Sequence, residues 1–133
     1  QGSRTVQTQR GEFHELFKSA IRPYPGISNS ATGRLRINLI NEELSELESA
    51  IKEHNIFDIA DAIGDLLYVV YGTAISYGID MEPIFKEIHR SNMTKEGGGV
   101  RGDGKIMKPE SYSPPDLYPI VISQILSGDL GNA

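Results

Sequence analysis

Two long helical patterns separated only by His54-Asn55 leave this chain few folds to choose from. From about Thr32 to Glu53, Ile37, Ile40, Leu44, Leu47 and Ile51 recur near heptad spacing, which is the stripe of a helix with one apolar face. From about Ile56 to Tyr77, Ile59, Ile63, Leu66, Leu67, Val70 and Ala74 fill much of the circumference. That pattern predicts a helix buried on more than one side. So short a connection makes the two helices antiparallel neighbours.

The remaining segments extend a helical fold. Phe13, Leu16, Phe17 and Ile21 suggest an amphipathic helix over about 5–21, stopped by Arg22-Pro23-Tyr24-Pro25-Gly26. Gly78 ends the third helix, and Asp80 can cap a fourth that has Pro83 in its first turn. After Asn92 the chain becomes Gly-rich and then Pro-rich, predicting an extended arm with a short closing helix at about 119–126. No strand alternation and no repeat is present. The expected fold is all-α, a four- to five-helix bundle with a Pro/Gly-rich C-terminal arm. Residues 1–4 read as a cloning remnant, 5–118 as the domain with its arm, and 119–133 as a tail.

Composition narrows the chemistry. With no Cys, the 133-residue chain has no thiol nucleophile, disulfide or Cys-bound zinc. Its three His show no metal-site spacing. A net charge of −5 argues against a nucleic-acid polymer as partner. No apolar run approaches the roughly 18 residues of a membrane span, so no membrane partner and a cytoplasmic location are expected.

The charge is segregated. Glu42, Glu43, Glu46, Glu48, Glu53, Asp58, Asp61 and Asp65 have only Lys52 among them, whereas Arg90, Lys95, Arg101, Lys105 and Lys108 follow. At about 100° per residue, Glu43 and Glu46 lie roughly 60° apart on one helix face, and Asp58, Asp61 and Asp65 share one side of the next helix. Asp is a poor helix former, and only Asp58 is near enough to the start to favour the dipole. An antiparallel pair can set Glu43 and Glu46 opposite Asp61 and Asp65. Converging carboxylates need a cation, and hard oxygen ligands suit Mg²⁺ or Mn²⁺. The bland alternative is a solvated acidic face, with Asp61 or Asp65 bridging to Arg34, Arg36 or Lys86.

Glu42-Glu43-Leu44-Ser45-Glu46-Leu47 followed by Asp61-Ala62-Ile63-Gly64-Asp65-Leu66-Leu67-Tyr68 resembles the MazG-like all-α nucleoside triphosphate pyrophosphohydrolases. Their motif is E-E-x-x-E on one helix and E-x-x-D on the next. Aligning on Asp65 puts Ala62 where that motif has Glu, with Asp61 as the stand-in; aligning on Asp61 pairs it with Asp58. The likeness reaches a phosphoribosyl-ATP pyrophosphohydrolase-like subgroup through Phe13-His14 with Phe17, His89 to Lys95, Asp103 to Pro109, and Tyr112 to Asp116.

The resemblance implies Mg²⁺, or Mn²⁺, held by Glu43, Glu46, Asp61 and Asp65, with Asp58 as an additional candidate ligand. It implies a water oriented or deprotonated by Glu42 or Glu43, and attack on the α-phosphorus of a nucleoside triphosphate to give monophosphate and pyrophosphate. Asn92, Lys95, Lys105, Lys108 and Tyr112 are the candidate substrate contacts. A homodimer or a dimer of dimers is implied as well. The alternatives are a non-catalytic scaffold or regulatory bundle and, ranked lower, phosphoribosyl-ATP hydrolysis.

Overall fold

A computed structural model describes residues 5–16 and 21–131. Residues 1–4 and Phe17 of the early motif lie outside them. The order is α1 (Val6–Leu16), α2 (Ser30–Lys52), α3 (Ile56–Ser76), α4 (Met81–Met93) and α5 (Tyr118–Gly131). The described residues contain no strand, only one antiparallel bridge between Val100 and Ile106.

Side chains set the helix starts. The Asn29 carboxamide oxygen accepts from the Thr32 amide at 2.8 Å at the head of α2. That of Asn55 accepts from Phe57 and Asp58 at 3.0 and 3.1 Å at the head of α3. Asp80 accepts from Glu82 at 3.1 Å on α4. Each side chain satisfies amides that have no intrahelical acceptor. Asn55, which reads as a stop in the sequence, is thus also the start of α3.

The chain reverses between α2 and α3 through Glu53, His54 and Asn55, with His54 at φ 55°. The two helices then lie antiparallel and form the most extensive helix–helix packing among the described residues; α1 also packs on α3. Gly78 ends α3 at φ 72°, beside the Tyr24 carbonyl, where a Cβ would collide. No other residue type tolerates both demands. The Pro23–Gly26 stretch is tied to the same place: the Arg22 amide donates to Ile75 O and the Gly26 amide to Tyr77 O, both at 3.1 Å.

The core is small: Ala50 from α2, Ala62, Val69, Ala74 and Ile75 from α3, and Ile84 from α4. Among the described residues α3 alone is long and apolar enough to cross a membrane. Its aspartates and its packing against both α1 and α2 fit the centre of a bundle.

The stripe of α2 is not spent on this core. Ile37, Leu44 and Ile51 remain 59%, 51% and 52% exposed, and Ile63, Leu67 and Val70 of α3 are also exposed.

α5 is longer than the sequence suggests, because it continues through Gly128 against Tyr24, where a Cβ would strike the Tyr24 side chain. Gln124 fastens it to the α3–α4 junction. Its side chain accepts from the Asp80 amide at 2.9 Å and donates to the Asp80 carbonyl at 3.0 Å.

Candidate active site

The antiparallel register of α2 and α3 brings carboxylates together. Glu43 and Glu46 of α2 and Asp65 of α3 each offer an oxygen within 4.8 Å of the others. Glu46 and Asp65 are exposed and Glu43 is half-buried. One Glu43 oxygen, Oε2, is shut away from water with no hydrogen-bond partner. Burial pushes the Glu43 carboxyl above the ordinary carboxylate range, and hydrogen bonding to Glu46 with the negative charges of Glu46, Asp65 and Glu42 adds to the effect. An orphaned carboxylate oxygen beside two further carboxylates is a donor set suited to a hard cation.

Towards the bend the groove widens into a cavity of about 340 Å³ lined by Ser45, Glu46, Ser49, Glu53, Asp58 and Asp61, with Ala50 and Ala62. Asp58 and Asp61 therefore face a space that Glu46 also borders, but Asp61 lies outside the close three-carboxylate set. Ala62, which takes the place of the motif's Glu when the sequence is aligned on Asp65, is 4% exposed and lines the same cavity. Glu42 is exposed beside Glu43.

At the other end of the helix pair Arg36 is buried. Its Nη2 donates to Val69 O at 2.9 Å and its Nε to Thr73 Oγ1 at 3.2 Å. It faces α3 beyond Asp65 in the chain. Among the described residues neither Asp61 nor Asp65 has a basic partner, so the bridging alternative loses its support. The sequence reading missed this role of Arg36; the only signal was an Arg flanked by the apolar positions 35 and 37.

The basic segment follows α4 and is bonded to its C-terminal end. Asn92 and Lys95 share a cavity of about 500 Å³ with Met93, Glu96, Gly99, Val100 and Ile106. Lys105 and Lys108 do not line it. Lys108 Nζ stands 5.1 Å from the centre of the Tyr112 ring, a cation–π contact. The Tyr112 hydroxyl lies 3.2 Å from Ser91 Oγ. Tyr112 is thus engaged within its own chain. Among the described residues no ion pair joins Lys95, Lys105 or Lys108 to Glu43, Glu46 or Asp65.

The α2–α3 carboxylate groove lies inside a stretch with known relatives. A family model described as phosphoribosyl-ATP pyrophosphohydrolase matches residues 10–92. The chain belongs to that family. The match covers α2, α3 and all but the last residue of α4, and so contains every candidate carboxylate. An uncharacterized protein of Acanthamoeba polyphaga mimivirus is 48% identical over 54 residues, which are 41% of this chain and 22% of that protein. The phosphoribosyl-ATP pyrophosphohydrolase family lies within the MazG-like superfamily, in keeping with the all-helical architecture.

Proposed function

We propose that this chain hydrolyses a nucleoside or deoxynucleoside triphosphate to the monophosphate and pyrophosphate, in a nucleotide-pool house-cleaning role. The reading rests on the convergence of Glu43, Glu46 and Asp65 around an orphaned carboxylate oxygen, in a member of a pyrophosphohydrolase family. Glu43, Glu46 and Asp65 would hold Mg²⁺ or Mn²⁺, with Asp61 and Asp58 in the adjoining cavity available to hydrated ions. When bound, the metal neutralises triphosphate charge and acidifies a water.

The chain's own groups supply the rest. Burial and the neighbouring carboxylates raise the Glu43 pKa and make it a stronger base than an ordinary carboxylate, which suits it to orient or deprotonate the attacking water; Glu42 stands beside it. The water oxygen bonds to the α-phosphorus, the bond from that phosphorus to the α–β bridging oxygen breaks, and pyrophosphate departs. Asn92 and Lys95, in their shared cavity, supply a hydrogen-bonding group and a positive charge for phosphate.

The assembly is proposed as a homodimer or a dimer of dimers. The occupant of the exposed α2–α3 apolar face is a second copy, which would cover Ile37, Leu44, Ile51, Leu67 and Val70.

The test is a nucleotide panel with Mg²⁺ in which pyrophosphate and orthophosphate are measured separately. The panel includes phosphoribosyl-ATP, because the family description favours it as a second reading. Pyrophosphate released in step with a monophosphate supports the proposal. Orthophosphate alone, or no turnover across the panel by a folded chain, overturns it and favours the scaffold reading.

A further inference from the structure

Between α4 and α5 the chain makes a small hairpin whose neck is bound to α4. At the tip the Arg101 amide donates to Lys105 O at 2.7 Å, and the Met107 amide donates to Gly99 O at 3.0 Å. At the neck, residues 112–116 return alongside α4. Ser91 Oγ donates to Ser113 O at 2.7 Å, and the Ser113 amide donates to Thr94 Oγ1 at 2.8 Å.

Arg90 is the centre of this neck. Its Nε and Nη2 donate to the two Glu87 carboxylate oxygens, both at 2.8 Å. Its Nη1 donates to Ser113 Oγ and its Nη2 to Pro114 O, both at 3.1 Å. Glu87 Oε2 accepts in addition from the Asp116 amide at 2.8 Å. One guanidinium fork is therefore fixed on one side by Glu87 of α4 and grips the returning segment on the other. A planar five-donor group can do both at once, whereas an ammonium cannot.

We propose that Arg90 is a positioning residue: by clamping the hairpin neck to α4 it holds Val100 and Ile106 of the hairpin across the cavity from Asn92 and Lys95, the groups that meet the phosphates. This role rests on the function proposed above. Arg90 itself touches no substrate. Its effect is to keep the hairpin from sampling open arrangements, so its loss weakens substrate capture rather than the chemical step.

The test uses the full chain and the best nucleotide of the panel. Trypsin, in the absence of nucleotide, reads the hairpin directly through cleavage after Arg101 and Lys105. Arg90→Ala should speed that cleavage about tenfold, because proteolysis follows the population of locally open states. It should raise KM about tenfold with kcat within about threefold, the mark of lost ground-state positioning. Arg90→Lys keeps the charge and should not rescue either readout. Ser113→Ala, which removes the contact from the arm's side, should move both in the same direction and by less. It serves as the second variant if Arg90→Ala loses helicity by circular dichroism.

Cleavage within about twofold of the parent in both Arg90→Ala and Ser113→Ala overturns the clamp. Rescue by Arg90→Lys reduces the role to charge and overturns it too. Faster cleavage with unchanged KM also overturns the positioning role, and Lys95→Ala then shows what failed. An unchanged KM there removes the hairpin from the proposed function; a raised KM there removes only the link from Arg90. Absence of turnover in the parent defeats the proposed function, while the trypsin readout still judges the clamp.

Discussion

Glu43 carries two opposing demands, and its environment shows which one prevails in the metal-free chain. Burial and neighbouring carboxylates raise its pKa above the usual 4.5. The folded chain then binds that proton more tightly than the unfolded chain. Its contribution to stability is fully present below the ordinary value and is lost as pH rises through the raised one. Glu43→Gln should therefore raise the metal-free unfolding temperature at neutral pH and flatten this pH dependence, while Mg²⁺-dependent turnover falls at least about hundredfold. Asp65→Asn should lose turnover to a similar degree with helicity preserved. Near-parental activity in both variants would refute the site.

Glu87 is the opposite case. Its hydrogen bond with Arg90, and that from the Asp116 amide, lower its carboxyl to about 2. Here the unfolded chain holds the proton more tightly, so the stabilisation is present above the ordinary 4.5 and is lost as pH falls towards the lowered value. The protection factor of the Asp116 amide, its exchange rate relative to that of an unstructured amide at the same pH, should fall across that acid window in the parent. In Glu87→Gln the protection factor should already be low at neutral pH and change little across the window.

Among the elements, α2 and α3 were legible from sequence because their apolar periods are long and their breakers are clear. Gly78 and Asp80 marked the next boundary for the same reason. The carboxylates that face each other followed from the short bend. The order in which they converge did not follow. Asp61 and Asp65 share a helix side, but the position of each along the groove depends on where α2 sits against it. The buried carbonyl contact of Arg36 and the side-chain bonds at the hairpin neck also escaped the sequence reading. Both are tertiary contacts, Arg36 across 33 residues and the neck across 19 to 29, and no local pattern announces them.

The hairpin makes a distinction that can be tested. Arg101 is committed to Asp103 by two hydrogen bonds, at 2.9 and 2.6 Å, whereas Lys95 lines the cavity shared with Asn92. Lys95→Ala should reduce kcat/KM by tenfold or more, about 1.4 kcal/mol, and Arg101→Ala by about twofold or less. Both should leave the unfolding temperature nearly unchanged, since Arg101 is exposed and half-buried Lys95 makes no ion pair among the described residues. A Lys95→Ala variant within about twofold of the parent would make the hairpin a packing arm.

At the scale of the molecule, the apolar seam left open on α2 and α3 asks for another protein surface. Light scattering at micromolar concentration should find a dimer or a tetramer, and Leu44→Glu, which places a charge at 51% exposure in the seam, should shift it towards the monomer with helicity retained. A parent that is monodisperse as a monomer would exclude the proposed self-association.

On α2 the acids and the seam alternate along the same turns: Glu43 precedes Leu44, and Glu46 precedes Leu47. A surface that settles on Leu44 and Leu47 also comes to rest beside Glu43 and Glu46, removing their water and steepening their mutual repulsion. Cation uptake and self-association then become linked equilibria, each strengthening the other. Specific activity should decline on dilution at fixed magnesium, and added magnesium should restore it at concentrations where the metal-free chains have come apart.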